Sequence, residues 1–529
     1  MTPGDLGPLD RLAERAETLA GAWTARARAS TTIGRERALL RLFGVNGLDA
    51  AGRPLAWAAV DRYLDGRRGR LGAGVIMPFS IALVEYDLVP QRLALDVASG
   101  AVDLGLEAEL LREADRRAVA EEEARRLTAA AIERIDANRT ARRELLDVLG
   151  DPRRPWIGTA VLDPEIEHAL GSIEKLLDAG ADLVQVEVPI GRELAQRLRE
   201  AGIEAPVWQP RSGADDGDTT ERAPTGSQRA LNALRLRLDE IAARRRNYVR
   251  LATAPPALGA PESAVVAAFE RVDVAESDPM SEIVNDRVDP ERALADHAFA
   301  QALLARAGVA VSIAAGPLVV APDLARGLPS DPATRAGRAL ALQAVSIAIA
   351  RGNGVPSDHL LVGALPGWVV GEPDGAARAL AEVTVRQALH PGLALTFDEP
   401  PPDARRSATE TWSAIVAAIA PAGPTSALIL RRPSADTARS IAWSRLAAGV
   451  AGELDSARMP IALAGIALEH ARASVGAALV TLDRLADDGW RSVLGDAPDG
   501  GDRVRLGADS VAERTESFDP LELALTAVG

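Results

Sequence analysis

The sequence predicts an α/β protein: a (β/α)8 TIM barrel over residues 151–435, with a helical accessory segment before it (1–150) and a helical extension and tail after it (436–529). Three observations predict this. After Pro155 the chain changes to short apolar runs rich in Val, Ile and Leu, as strands buried on both faces require. Eight such runs occur, and helical patterns lie between most of them. Eight β/α alternations suit a closed barrel better than an open doubly wound sheet.

The elements follow in order. Leu9, Leu12, Ala16, Leu19 and Trp23 recur at intervals of three and four, so Leu9–Ala29 reads as an amphipathic helix. Thr31-Thr32 supplies an N-cap pair for a second helix, which carries Ala38, Leu39, Leu42 and Phe43 and ends at Gly44. Further helices are predicted over Leu55–Tyr63, Pro90–Ala98 and the densely charged Leu106–Leu149. Strands are predicted at Trp156–Val161, Asp182–Val188, Tyr248–Thr253, Arg271–Ala275, Val309–Ala314, His359–Ala364, Leu393–Phe397 and Ser426–Leu430. The helices between them are Ile166–Ala179, Ser227–Arg245, Ala293–Ala307, Thr334–Arg351 and Ala376–Ala388. Gly213–Thr225 and the proline-rich Glu399–Asp403 read as irregular connections. Helix returns over Thr437–Leu454 and Pro460–Asp487, and Gly495–Asp509 reads as loop.

Composition narrows the function. At 529 residues the chain exceeds the roughly 250–300 residues of one core, so a large domain with appended pieces is expected. A net charge of -15 opposes the phosphate-neutralising surface of a nucleic-acid binder. Cysteine is absent, which excludes disulfides, thiolate metal sites and cysteine nucleophiles. Met1–Asp10 has no apolar core of a secretory leader, and the uncharged stretch Thr411–Leu430 is broken by Pro421 and Pro424, so no membrane span and a cytoplasmic setting are expected. Lysine occurs only at Lys175, so a Schiff-base lysine is either that residue or one from another chain.

In such a barrel chemistry sits at the C-terminal ends of strands. Those ends offer Glu187, Thr253, Asp273, Glu276, Asp278, Asp398, Glu399 and the pair Arg431-Arg432. Of these Glu187, Asp273, Asp278 and Asp398 are the catalytic candidates: carboxylates on several loops can hold an amine or a metal, and arginines can hold phosphate. No histidine pair has metal-ligand spacing, and no metal site is expected. Gly72-Ala73-Gly74 and Gly352-Asn353-Gly354 lack the strand, spacing and helix of a dinucleotide fingerprint.

Thr31-Thr32-Ile33-Gly34-Arg35-Glu36-Arg37-Ala38-Leu39-Leu40-Arg41-Leu42-Phe43-Gly44-Val45-Asn46-Gly47-Leu48-Asp49 resembles a segment of the large (α) subunits of lysine 5,6-aminomutases, and more distantly of ornithine 4,5-aminomutase. The similarity continues at Leu71-Gly72-Ala73, Ala98-Ser99-Gly100, Asn138-Arg139-Thr140, Asp178-Ala179-Gly180-Ala181-Asp182 and Tyr248-Val249-Arg250-Leu251. The resemblance implies an adenosylcobalamin- and pyridoxal 5′-phosphate-dependent radical enzyme that shifts an amino group between adjacent carbons of a lysine- or ornithine-like substrate. It also implies a hetero-oligomer, in which a small Rossmann-type subunit carries the cobalamin histidine and the Schiff-base lysine.

For the pyridoxal phosphate the resemblance points to Gly191, Ser227 and Gln228, with Arg192, Arg287 and Arg432 as cations near the expected phosphate site. Other family positions depart: Val188, Glu193, Pro256, Ser281, Asp286, Leu318 and Ala364 stand where arginine, hydroxyl, acidic or histidine side chains are expected. Three readings therefore stand: an aminomutase barrel subunit, a diverged paralogue without catalysis or with a regulatory role, and a barrel enzyme of other chemistry using strand-end carboxylates.

Overall fold

In the computed structural model the described residues are 5–47, 49, 53–65, 68–161, 173–187, 224–255, 258–316, 331–365, 374–398, 426–431, 438–442, 444–445, 461–490, 510–516 and 518–526. The chain opens on α1 (Leu9–Arg28), whose periodic stripe is the face it buries: Leu9, Leu12, Ala16 and Ala20. Strand β1 (Ser30–Thr32) leads into α2 (Ile33–Leu42), where the Thr32 side chain accepts the Arg35 N–H at 2.9 Å, a cap worth about 1 kcal/mol. There follow α3 (Leu55–Leu64), α4 (Arg68–Ala73), α5 (Ile76–Glu85), α6 (Pro90–Ser99), α7 (Leu104–Leu110) and α8 (Ala114–Leu149). The single long helix expected over Leu106–Leu149 is thus two. Helix α5 left no periodic trace because Ile76 to Leu83 are all buried, and a helix without a polar face prints no amphipathic pattern.

Eight parallel strands then close a barrel: β2 (Trp156–Val161), β3 (Leu183–Glu187), β4 (Arg250–Ala254), β5 (Val274–Glu276), β6 (Ala310–Ile313), β7 (Leu360–Gly363), β8 (Ala394–Asp398) and β9 (Ser426–Arg431). Closure is by β9 on β2, with Trp156 opposite Leu428 and Thr159 opposite Arg431. The outer layer holds α9 (Pro224–Arg245), α10 (Ala260–Phe269), α12 (Pro290–Ala307), α13 (Pro332–Gly352) and α14 (Gly375–Leu389), together with helical residues 173–178. A short α11 (Pro279–Asn285) is inserted between β5 and α12. Farther on, α15 (Ile461–Asp488) packs on α13 and α14, and β10 (Val511–Glu513) pairs antiparallel with β1 before α16 (Pro520–Thr526).

The accessory helices share the barrel's core. One continuous apolar cluster runs from Ala38, Leu39 and Phe79 through the outward faces of the strands, such as Ile157, Val184, Leu251 and Val362, to Leu521. The expected loops at 399–403 and 495–509, and residues 213–223 of the Gly213–Thr225 loop, lie outside the described residues. No helix among the described residues is long and apolar enough to cross a membrane.

Candidate functional site

Strand alternation sorts the barrel side chains into outward and inward sets. The lower inward layer is apolar: Trp156, Leu183, Ala252, Val274, Ala310, Leu361, Ala394 and Leu428 pack on one another. Two residues farther along their strands, toward the C-terminal mouth, the inward positions change character to Gln185, Glu276, Ser312 and Thr396, with Gly158 and Ala254 between them. Glu276 and Ser312 are partners in register. Gln185, Glu276 and Ser312 are half-buried, whereas Thr396 is 1% exposed and its Oγ1 has no hydrogen-bond partner. At the top of β7 Gly363 has to be glycine, because a Cβ there would meet the Ala315 backbone nitrogen at 2.2 Å. That chain crossing is pinned by Gln343, which donates to the carbonyls of Ala314 and Gly363 at 2.6 and 2.8 Å, and by Arg386, which donates to that of Ala315 at 2.8 Å.

The corner above β5 gathers several ionisable side chains. Ser277 Oγ lies 2.8 Å from His297 Nδ1, and His297 Nε2 lies 2.7 Å from Glu282 Oε2, while the Leu258 N–H donates to the other Glu282 oxygen. This has the connectivity of a nucleophile, base and orienting carboxylate. However, Ser277 is 1% exposed and follows the outward parity of β5, so its hydroxyl serves the helix layer and not the mouth. Burial depresses the His297 imidazolium, but the hydrogen bond and charge of Glu282, with Asp278 and Asp296, outweigh it and raise the His297 pKa. Burial likewise pushes the Glu282 carboxyl up, but His297 and the Leu258 N–H outweigh it and hold that carboxyl below its ordinary range. Asp286, which caps the C-terminus of α11, responds oppositely. Burial first, then the charges of Glu282 and Glu276, push its carboxyl up to about 7 against the weaker pull of His297. No described residue donates a hydrogen bond to it.

The residues expected from sequence fall in different places. Glu187 and Asp398 end β3 and β8 at the mouth, opposite Ala254 and Leu430 in register; their side chains lie outside the described set. Asp278 is also at the mouth, but its carboxylate is occupied. Oδ1 accepts the N–H groups of Met280 and Ser281 at 3.1 and 3.2 Å and the Ser346 hydroxyl, and Oδ2 accepts the Ala314 N–H at 3.2 Å.

Asp273 is a correction. The strand starts at Val274 instead of Arg271, which places Asp273 at the N-terminal end of the barrel, away from the mouth. There it accepts from Tyr248 Oη at 3.0 Å, the Leu251 N–H at 2.8 Å and Arg235 at 3.3 Å, with its side chain fully buried. Gln228 is likewise committed to helix packing, donating to Glu270 at 2.7 Å, and the Ser227 side chain lies outside the described set. Gly191, Arg192 and Arg432, like His168, are outside the described residues. Arg287 is half-buried just after Asp286, in left-handed backbone at φ 55°. Among the described residues no group of three or more His, Asp or Glu side chains is gathered to hold a metal ion.

Sequence reasoning missed Asp286, Glu282 and His297 as site residues because they sit on or beyond the inserted α11. It missed Gln185, Ser312 and Thr396 although strand parity could have found them.

The helix within the stretch from Thr31 to Asp49 is buried against α10 and α12. Glu36 accepts the Thr31 hydroxyl and the Val75 N–H at 2.6 Å. The Thr32 hydroxyl donates to Asp296, which also takes Arg292 Nε at 2.5 Å. Arg41 Nε and Trp57 Nε1 both reach Glu262, at 2.9 and 2.8 Å, and Arg35 pairs with Asp519 beyond β10. These contacts join the accessory helices to α10, α12 and the C-terminal strand.

Comparison with known proteins bears on that scaffold. Residues 5–323 match the family model described as the D-lysine 5,6-aminomutase TIM-barrel domain of the alpha subunit. A lysine 5,6-aminomutase alpha subunit from Fusobacterium nucleatum is 25% identical over 373 residues, 70% of this chain and 66% of that one. One from Acetoanaerobium sticklandii is 26% identical over 283 residues, 53% of this chain and 50% of its own. The chain therefore spans about half to two thirds of the length of these curated relatives. A dihydropteroate synthase from Coxiella burnetii, solved with pteroic acid, overlays with a TM-score of 0.33 at 13% identity, over 56% of this chain and 94% of that one, a likeness too slight to argue from. The fingerprint at Thr31–Asp49, the closed eight-stranded barrel and the match over residues 5–323 together place the chain in the family of D-lysine 5,6-aminomutase alpha-subunit TIM-barrel domains.

Proposed function

We propose that this chain is the barrel subunit of an aminomutase that binds a small amino acid with a second amino group, of the lysine or ornithine kind, in the barrel mouth. In this reading it works with a smaller Rossmann-type subunit that brings cobalamin and the Schiff-base lysine. The observation that carries the reading is the change of character inside the barrel. A sealed apolar layer is topped by Gln185, Glu276, Ser312 and Thr396, which converge on the mouth. Polar side chains converging above a closed floor orient a small polar molecule and keep bulk water from beneath it. The Glu276 carboxyl, on the inward face of β5, suits a cationic amine at that position. Lys175 supports a lysine from another chain, since it is exposed on helical residues 173–178 outside the barrel.

Adenosylcobalamin and pyridoxal 5′-phosphate are the cofactors that the family resemblance implies, the first supplying a carbon radical and the second an imine that stabilises it. The described mouth does not fit the phosphate of the second. A dianion needs cations or several donors, and around β5 the described mouth presents the Glu276 carboxyl, with no cation among the inward positions level with it, Gln185, Ser312 and Thr396. No step is therefore assigned to that group. The same corner favours one second reading, a paralogue that keeps the scaffold and its partner but has lost pyridoxal phosphate.

The test combines the full chain with its small subunit, adenosylcobalamin and pyridoxal phosphate, and offers lysine and ornithine. Formation of the isomer with a shifted amino group, read by NMR, is the expected result. A stable complex that converts neither would replace this reading with the second, and failure of any complex to form would sink both.

A further inference from the structure

The rim above β6 is held from outside the barrel by a line of buried charged groups. The backbone of residues 314–316 crosses so close above β7 that a Cβ at Gly363 would meet the Ala315 nitrogen at 2.2 Å, and one at Gly316 would meet the Ala339 Cβ at 2.5 Å. Arg386 on α14, its side chain fully buried, donates from Nη2 to the Ala315 carbonyl at 2.8 Å and from Nη1 to Glu382 Oε2 at 2.6 Å. The other Glu382 oxygen lies 3.1 Å from Nε2 of His470 on α15. Glu382 therefore joins a helix of the C-terminal extension to the guanidinium that holds the rim. The place of His470 is itself fixed by a close helix contact. A Cβ at Gly337 of α13 would meet the Ala477 Cβ and the Ser474 carbonyl oxygen of α15, each at 2.5 Å.

A guanidinium is a planar, rigid fork of donors, so a carboxylate that fixes its plane also aims its other arm. Arg386 Nε is buried without a partner, so the fork is held by its two terminal nitrogens and loosening one loosens the other. Burial pushes the Glu382 carboxyl up, but Arg386 and His470 outweigh it and hold that carboxyl below its ordinary range, which keeps it the anion that Arg386 faces. We propose that Arg386 is a positioning residue of the barrel mouth and that His470 on α15 sets it through Glu382, so that the C-terminal helix fixes the rim between β6 and β7. A rim held in one geometry presents the inward side chains of those strands in one geometry. The bearing of this on a substrate rests on the mouth being the substrate site; the coupling of α15 to the rim does not.

The experiment is hydrogen–deuterium exchange of the full chain, read by mass spectrometry in peptides covering residues 312–316 and 360–365, with peptides of β3 and β4 across the barrel as the internal reference. Arg386→Lys leaves a cation beside Glu382, but a single ammonium cannot also reach the Ala315 carbonyl. It should speed exchange of the rim peptides roughly ten- to a hundredfold, the range of a lost charge-assisted hydrogen bond. His470→Ala should speed the same peptides several-fold, and His470→Gln, whose amide nitrogen can stand where Nε2 stands, should restore them. In all three β3 and β4 should exchange as in the wild-type chain. Rim exchange that stays at the wild-type rate in either Arg386→Lys or His470→Ala overturns the proposal. So does a rise shared equally by β3 and β4, or one in His470→Ala that glutamine does not reverse, since either marks a packing role alone. Should His470→Ala fail to fold, Arg386→Lys and His470→Gln carry the test by the same criteria. The aminomutase reading is judged separately by turnover of the complex, so either can fail alone.

Discussion

The fingerprint around Thr31–Asp49 and the mouth above β5 are both rich in charge, yet they differ in how their acceptor oxygens are bonded. In the first, each buried carboxylate is saturated. Glu36 takes Thr31 and Val75, Glu262 takes Arg41 and Trp57, Asp296 takes Thr32 and Arg292, and Asp519 takes Arg35 and Arg514. In the second, Asp278 is saturated but the buried Thr396 hydroxyl has no partner, and no described residue donates to the half-buried Asp286. A saturated buried network tolerates little change, because removing one partner strands another charge at a cost of about 3–5 kcal/mol. An unsatisfied mouth can exchange side chains with far less damage to the fold.

The largest effect should come from the saturated side. Glu262→Ala leaves Arg41 and the Trp57 indole N–H buried without their partner and should lower unfolding stability by about 3–5 kcal/mol in a guanidinium titration. A loss below about 1 kcal/mol would break the comparison.

Next is a pH effect at the mouth. The folded-state pKa of Asp286 stands at about 7 against an ordinary 3.8, so the folded chain holds a proton that the unfolded chain has released between those values. Stability is therefore fully present below about pH 4 and lost as pH rises to about 7. Its slope is at most about 1.4 kcal/mol per pH unit, and the trend ends once both states are ionised. Asp286→Asn should flatten this component in unfolding curves measured across the range; identical pH profiles for the two chains would count against the assigned environment.

A smaller change is expected for Thr32→Ala. It loses the cap on the Arg35 N–H and the hydroxyl bond to Asp296, and should cost about 1–2 kcal/mol by thermal or chemical unfolding. The smallest belongs to Thr396→Val, which removes a buried hydroxyl that no protein group uses. Stability should stay within about 1 kcal/mol of wild type, with any change toward greater stability, while ligand binding in the mouth weakens. A large destabilisation would mean that Thr396 serves the fold after all.

The eight strands, most of the helices between them and the amphipathic α1 were legible in the sequence, because burial on two faces and burial on one stripe each leave a pattern in the residues themselves. Helices α5 and α10 were not, since Ile76 to Leu83 and Ala260 to Phe269 are buried on every side and carry no period. At the mouth, local pattern could place Glu187, Glu276, Asp278 and Asp398 near strand ends. It could not place Asp273, whose side of the barrel turns on a strand start three residues later than expected. Nor could it show that Asp278 is consumed as a cap, or that Glu282 on the inserted α11 meets His297.

What the sequence by itself determined is therefore the alternation of elements and the family, both of which rest on local periodicity and on a contiguous segment. Only the tertiary structure decided how each carboxylate is satisfied. The physical reason is that a carboxylate's charge state and hydrogen bonds depend on groups distant in the chain: Thr32 with Asp296, Arg35 with Asp519, and Asp278 with Ser346.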